Sequence, residues 1–179
     1  MTALEHALQV FAGQYPQQAA LAGEYLTLLR EGGQSPFCRS RLAGHFTASC
    51  WLVSADGRRV LLTHHRKLQR WLQLGGHADG DTDLAAAALR EACEESGLHG
   101  LVLAPEIFDI DKHWIPAHGA VPGHWHYDVR YVLRAGADEN FVISEESLAL
   151  AWRDIATLAE DEGGDASLRR MAKRWLQQV

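Results

Sequence analysis

A glycine-led turn that runs into an acidic helix, between residues 76 and 98, constrains the fold of this chain more than any other feature. The run at 81–83 reads Asp-Thr-Asp and offers side chains that cap helix N-termini. Residues 84–96 are rich in alanine and lack glycine and proline, so their helix propensity is high. Gly97 suits a C-cap, where a left-handed backbone is common. The segment therefore predicts a turn followed by a helix over 84–96.

Three glutamates crowd one side of this predicted helix. Glu91, Glu94 and Glu95 have the spacing at which helical side chains are surface neighbours. Like charges so placed repel, by roughly 0.2–0.5 kcal/mol per pair. A bound cation offsets that repulsion, and hard carboxylate oxygens favour Mg²⁺, Mn²⁺ or Ca²⁺ over Zn²⁺ or Cu²⁺. The cluster thus predicts a divalent-metal site, and magnesium in turn indicates phosphate chemistry.

The segment closely resembles the signature of the Nudix hydrolases (MutT-like proteins), G-x5-E-x7-R-E-U-x-E-E-x-G-U, in which U is a bulky apolar residue. In this chain Gly76 opens the motif, its acidic core is Arg90-Glu91 and Glu94-Glu95, and Gly97-Leu98 close it. A turn followed by a helix is also the structural context that the motif requires. The alternative is a solvated acidic helix face that fits the pattern by chance.

Two positions depart from the signature. Thr82 stands where the family has its first glutamate, and Ala92 replaces the bulky apolar residue. In the family that first glutamate mostly braces the loop through the motif arginine, so its loss bears on loop geometry more than on metal binding. Asp81 or Asp83 is a candidate for the bracing role.

The resemblance implies the residues of the site. Glu91, Glu94, Glu95 and the backbone carbonyl of Gly76 would hold Mg²⁺, with Mn²⁺ as an alternative and more than one ion during turnover. Arg90 would orient the carboxylates.

Many Nudix proteins carry a further acidic residue several positions before a tryptophan such as Trp152. The resemblance assigns this role, as a metal ligand or a base, to Glu146, with Glu145 left open. Glu91 is the other candidate base. The alternative for the Glu145-Glu146 pair is a polar surface loop.

Hydrophobic periodicity predicts the remaining elements. Two amphipathic helices occupy residues 1–31, strands are indicated at 46–53, 60–63, 71–74, 107–115 and 124–131, and a last helix runs over 165–178. We expect an α/β protein, a Nudix-like α/β/α sandwich with a mixed β-sheet, whose single domain spans 1–179 with its core at 45–158. The helical extension at 1–31 is expected to pack on the core, and a homodimer formed through it is left open.

Polar residues alternate along the last two predicted strands. Phe108, Ile110 and Trp114 should lie on one face of the first strand. The opposite face should carry three histidines, three aspartates and an arginine from the two strands: Asp109, Asp111, His113, His124, His126, Asp128 and Arg130. This stripe is either the wet face of a sheet or a wall of the substrate cleft, in which His113, His126 and Asp128 bind substrate next to a second cation. No spacing identifies a zinc site.

A basic loop lies just ahead of the motif, and its Arg66 could grip phosphate at two points or simply be solvated.

Composition limits the partners. The formal charge of −6 argues against binding nucleic-acid polymers, and no run of apolar residues is long enough for a membrane span. The three cysteines are widely spaced and indicate no disulfide framework. A reducing cytoplasm is the expected location.

The expected function is metal-dependent hydrolysis of a pyrophosphate bond in a nucleoside diphosphate linked to another moiety. Two alternatives remain, a catalytically silent ligand-binding module and an isomerase of a diphosphate substrate that uses Cys50 as proton donor. Specificity in the family comes from loops outside the motif, so the sequence leaves the substrate open.

Overall fold

A computed structural model describes residues 1–145 and 147–178 of the chain. Six strands form one mixed sheet with the order β4-β5-β1-β3-β2-β6. The strands are β1 (His45–Val53), β2 (Arg59–His65), β3 (Arg70–His77), β4 (Val102–Ile115), β5 (His124–Arg134) and β6 (Ser147–Asp154). The helices are α1 (Ala3–Gln14), α2 (Ala19–Arg30), α3 (Leu84–Ser96), α4 (Ile155–Glu160) and α5 (Ala166–Gln178). A 3-10 turn at Pro16–Gln18 joins α1 to α2.

The sheet is mixed because β1 and β5 run parallel, whereas all its other neighbouring strands pair antiparallel. Side chains alternate between its faces, so each face of the central β1 packs on a different helical layer. Ala48 and Cys50 face a core that contains Leu84 of α3, and Trp51 faces a second core that contains Met171 of α5. The expected α/β/α sandwich is confirmed.

The N-terminal helices belong to the core on the α3 side of the sheet. Leu8, Phe11 and Tyr25 are almost fully buried there. The Tyr25 hydroxyl lies 2.7 Å from the Asp111 carbonyl and 3.0 Å from the Asp128 carbonyl, which ties α2 to β4 and β5. No helix within the described residues combines the length and apolar character that a membrane crossing needs.

Each element predicted from sequence forms, but β3 runs on through Gly76 to His77, β4 begins earlier at Val102, and β6 and α4 were not predicted. The motif helix has its predicted bounds; the Asp83 side chain accepts from the Ala86 amide at its start, and Gly97 adopts φ 69° at its end. The prediction that Phe108 shares a face with Ile110 is wrong. The β4–β5 register shifts between Ile107 and Asp109, so Phe108 turns to the core on the α5 side.

Candidate active site

The acidic turn of α3 lies directly against the end of β3. A Cβ atom added to Gly76 would come within 2.3 Å of a Glu91 carboxylate oxygen, so the absent side chain of Gly76 makes room for that carboxylate. Gly75 has φ 155° and its Cβ would lie 2.2 Å from the Ser49 Cβ, which leaves no room for a side chain there either. Gly76 thus lets the end of β3 approach α3 closely, and Gly75 leaves room for Ser49 of β1.

The three carboxylates of α3 differ in exposure. Glu95 is buried and accepts a hydrogen bond from the Gly75 amide at 3.1 Å, whereas Glu94 is exposed and Glu91 is partly buried. The turn therefore presents several carboxylate oxygens beside a glycine strand end. An all-oxygen donor set of this kind fits Mg²⁺ or Mn²⁺, because both are hard cations.

Arg90 links the motif helix to the loop before it. Its guanidinium donates to the His77 carbonyl and to the Glu91 carboxylate, both at 3.3 Å, and lies 3.8 Å from the Asp81 carboxylate. Thr82, at the position of the missing glutamate, is exposed. Asp83 caps α3, so Asp81 is the carboxylate that the structure places beside Arg90.

The segment before β6 contains Glu145 and Glu146, the candidates for a further metal ligand or base. Glu146 lies outside the described residues. Arg66 donates hydrogen bonds to the backbone carbonyls of Glu145 at 2.9 Å and Ser147 at 3.3 Å. Arg66 therefore binds the backbone of the segment that leads into β6.

The polar stripe forms on the sheet face opposite α3. Asp128 is buried, and its carboxylate accepts from Thr47 at 2.9 Å, Ser49 at 2.6 Å and Arg130 at 2.8 Å. Asp109 is fully buried within reach of Arg130, Arg170 and Arg174. Asp128 is thus buried on this face of the sheet and fixed there by its hydrogen bonds.

Histidines surround the outer end of this stripe. His113 and His126, the two predicted from sequence to bind substrate, have ring centroids 5.5 Å apart. The ring of His124 lies 5.0 Å from that of His126. The structure adds His45 at 4.8 Å and His77 at 5.1 Å from His126. His124 shares the strand face of His126 in sequence, but His45 and His77 come from other strands, and no local spacing connects them.

Cys50 and Cys93 are poor candidates for catalysis. Cys50 is fully buried in the core, and this burial raises the pKa of its thiol well above the usual value. Burial also raises the pKa of Cys93, so neither thiol has the depressed pKa of a reactive cysteine.

The family model described as the NUDIX domain matches residues 44–175 of this chain. The chain belongs to the Nudix family. It is a pyrophosphohydrolase of the Nudix type, and the resemblance seen in its motif is confirmed.

Several solved structures of Nudix proteins and related hydrolases are similar in fold to this Nudix chain. A NUDIX-family hydrolase from Clostridium perfringens is 26% identical with a TM-score of 0.58, over 75% of this chain and 97% of that chain. A C. elegans Ap4A hydrolase shows 16% identity and a TM-score of 0.59, over 74% of this chain and 96% of that chain. The E. coli dihydroneopterin triphosphate pyrophosphohydrolase shows 20% identity and a TM-score of 0.58, over 75% and 96%. A comparison with curated protein sequences finds no match.

Proposed function

We propose that this Nudix enzyme hydrolyses a pyrophosphate bond in a nucleoside diphosphate linked to another moiety, and that the reaction depends on Mg²⁺, with Mn²⁺ as a substitute. The observation that carries the proposal is the close seat of the Glu91 carboxylate against Gly76. This contact brings the acidic turn of α3 against the end of β3, and both belong to the motif.

We assign the metal-binding role to Glu91, Glu94, Glu95 and the Gly76 carbonyl, with Glu146 as a further ligand. A divalent ion held there would neutralise the phosphate oxygens that otherwise repel a nucleophile, and would acidify water. Arg90 orients Glu91, since its guanidinium contacts that carboxylate and the backbone of β3.

The reaction needs a base. Water attacks one phosphorus, the bridging P–O bond breaks, and the proton of the water passes to a carboxylate. Glu91 or Glu146 takes this proton, and two phosphorylated products leave. We also propose Arg66, His113, His126 and Asp128 as substrate-binding residues. The last three lie on the sheet face opposite α3, so they would bind a part of the substrate away from the acidic turn, with Asp128 acting through the side chains that it holds.

The test incubates the purified protein with a panel of diphosphate compounds, with and without Mg²⁺, in water enriched in oxygen-18. The panel contains a nucleoside triphosphate, a nucleotide sugar, a dinucleoside polyphosphate such as Ap4A, a pterin triphosphate and a non-nucleotide diphosphate. The names of the solved relatives suggest two of these. Mass spectrometry identifies the products and shows which phosphorus carries the label.

Glu94→Gln is the informative variant, because Glu94 is exposed and its replacement should leave folding intact. Glu162→Gln is the matched control, since Glu162 is an exposed glutamate in the loop before α5. We expect Mg²⁺-dependent cleavage that is lost in Glu94→Gln and retained in Glu162→Gln. Tight binding without turnover across the whole panel would instead favour the ligand-binding module.

The isomerase alternative requires a thiol that can reach substrate. The full burial of Cys50 and its raised pKa argue against such a role. Unchanged activity of Cys50→Ala, in a variant whose fold is intact, would remove this alternative.

A further inference from the structure

Histidines from three neighbouring strands converge on the sheet face opposite α3. His45 of β1 pairs with His126 of β5 in the parallel register, and His77 of β3 pairs with Thr47, two positions along β1. Because side chains alternate along a strand, all three point to the same face. One potential ligand atom from each of His45, His77 and His126 lies within 4.8 Å of the other two.

His45 has a ring nitrogen that nothing in the described structure satisfies. The residue is 1% exposed, and its Nδ1 lies 3.2 Å from the Arg41 carbonyl, which can only accept. The proton therefore resides on Nδ1 and leaves a lone pair on Nε2, for which the described residues offer no hydrogen-bond partner. A metal-binding histidine characteristically donates its other N–H to a backbone carbonyl in this way.

His124 repeats this arrangement beside the cluster. Its Nδ1 lies 2.9 Å from the Pro122 carbonyl, and its Nε2 lies 3.1 Å from Nε2 of His126. Two nitrogens on one tetrahedral Zn²⁺ lie about 3.3 Å apart, from Zn–N bonds of about 2.0–2.1 Å. The two Nε2 atoms are therefore spaced to bind one ion. Binding through Nε2 of His126 requires the proton of that ring to reside on Nδ1.

The electrostatics favour a metal over a phosphate. The ring centroids of His45, His77 and His126 lie 4.8 to 5.3 Å apart, so charging these rings to bind a phosphate would place like charges side by side, whereas a metal ion binds neutral rings. The nearby positive charge of Arg39 is balanced, because its guanidinium is paired with both carboxylate oxygens of Asp79.

The donor set differs from that of the acidic helix turn. Its donors are imidazole nitrogens, and the neighbouring Asp128 carboxylate is already engaged by Thr47, Ser49 and Arg130. Nitrogen ligands favour Zn²⁺ and similar transition metals over Mg²⁺. Gly76 and Ala48 face α3, whereas the adjacent His77 and Thr47 face away from it, so the sheet separates the two sites.

We propose that His45, His77 and His126 form a binding site for a transition-metal ion of the Zn²⁺ class, with His124 as the fourth nitrogen ligand. Small side-chain rotations close the site around the ion. The ion clamps β3, β1 and β5 together immediately beside Gly76. This site is independent of the Mg²⁺ chemistry proposed for the carboxylates.

The test measures Zn²⁺ binding to chelator-treated full-length protein by equilibrium dialysis with elemental analysis, in excess Mg²⁺. His77→Gln and His126→Gln remove single ligands. His118→Gln is the control, because His118 is an exposed histidine in the loop between β4 and β5. Glu94→Gln keeps the histidines and weakens the carboxylate site.

We expect one equivalent of Zn²⁺ in the unmodified protein, in His118→Gln and in Glu94→Gln, and at least about tenfold weaker binding in the two ligand variants. The proposal would be overturned if His77→Gln and His126→Gln bound Zn²⁺ as tightly as the unmodified protein. Loss of binding in Glu94→Gln alone would also overturn it, since that result would place the zinc on α3.

An X-ray absorption spectrum of the Zn²⁺-loaded unmodified protein does not depend on the folding of any variant. We expect a first shell dominated by nitrogen, with the multiple scattering typical of imidazole. A shell of carboxylate oxygens, or no stoichiometric zinc, would contradict the site.

Discussion

The contact between Gly76 and Glu91 leaves no room for a methyl group. In Gly76→Ala the new Cβ would meet the Glu91 carboxylate at 2.3 Å, so the carboxylate must move. Displacement of a reacting group by about 1 Å can cost about 100-fold in rate, and we expect a loss of that order in kcat/KM. The measurement is steady-state kinetics at saturating Mg²⁺, together with a melting curve.

Gly13→Ala is the control for this substitution. Gly13 lies in α1 and a Cβ there meets nothing within 4 Å, so alanine should leave kcat/KM unchanged and stabilise the helix by about 0.5–1 kcal/mol. Full activity of Gly76→Ala would show that Glu91 need not sit against the strand end.

Asp81 occupies the place next to Arg90 that the signature glutamate would otherwise fill. The pair is partly exposed at 3.8 Å, and such pairs are worth up to about 1 kcal/mol. We therefore expect Asp81→Asn to lower kcat/KM by up to about fivefold. Kinetics of the purified variant, compared with Asp83→Asn, check this.

A rescue experiment separates bracing from a general effect of charge. Adding Thr82→Glu to Asp81→Asn restores the carboxylate at the family position and should recover the lost activity. Asp83→Asn should change little, because asparagine caps a helix as well as aspartate does. Failure of the rescue, with an intact fold, would remove Asp81 from the bracing role.

At the level of elements, α5 is fastened to the sheet by a buried ion cluster. The Asp109 carboxylate is fully buried and lies 3.0 Å from Arg174, 2.7 Å from Arg170 and 3.2 Å from Arg130. Removing one partner of a buried pair leaves uncompensated charge and costs about 3–5 kcal/mol. We expect a loss of that size in the unfolding free energy of Asp109→Asn, measured by denaturant titration.

The control pair is the Lys112–Glu24 contact on the surface. Glu24 is half exposed, so Glu24→Gln should change the free energy of unfolding by less than about 1 kcal/mol. Equal effects of the two substitutions would mean that the Asp109 cluster contributes no more than a solvated pair.

Local signals explain which elements the sequence could predict. The bounds of α3 follow from Asp83 and Gly97, which act on their own chain neighbours. Phe108 was misplaced because a β-bulge depends on how β4 pairs with β5, which no pattern within β4 records. His45 and His77 were missed for the same reason, since only strand register brings them to His126.

Describing the carboxylate turn required both the spacing of residues along one helix and the packing of that helix on the sheet. Its residues could be named from sequence, because Glu91, Glu94 and Glu95 share one turn of one helix. The closeness of Glu91 to Gly76 could not be derived from that spacing, since it requires α3 to fold back onto β3. The motif resemblance implied that Gly76 and Glu91 hold the same metal ion, and the structure adds the direct contact between them.

At the scale of the whole molecule, the N-terminal helices are part of the same hydrophobic core as the motif helix. Phe11 and Leu8 of α1 share this core with Leu84 of α3. Arg174 of α5 reaches the same region from the other side of the sheet, where its guanidinium lies 4.0 Å from the ring of Tyr15. Unfolding of the helical extension should therefore be coupled to unfolding of the sheet.

Phe11→Ala tests this coupling. Phe11 is 1% exposed, and truncating a buried phenylalanine costs about 3–5 kcal/mol. All six tryptophans lie between residues 51 and 175, so their fluorescence reports on the sheet and its later helices rather than on α1. We expect the fluorescence transition and the circular-dichroism transition to shift together to lower denaturant concentration, as cooperative unfolding requires.

Val10→Ala is the matched control, because Val10 lies on the exposed side of the same helix with 52% of its surface accessible. Its substitution should leave both transitions within about 0.5 kcal/mol of their original free energies. If Phe11→Ala instead splits the curves, with the fluorescence midpoint unchanged, then α1 and α2 unfold on their own and the extension is a separate cooperative unit. A common shift makes residues 1–31 part of the stability of the catalytic core, because the same apolar surface supports α1 and α3.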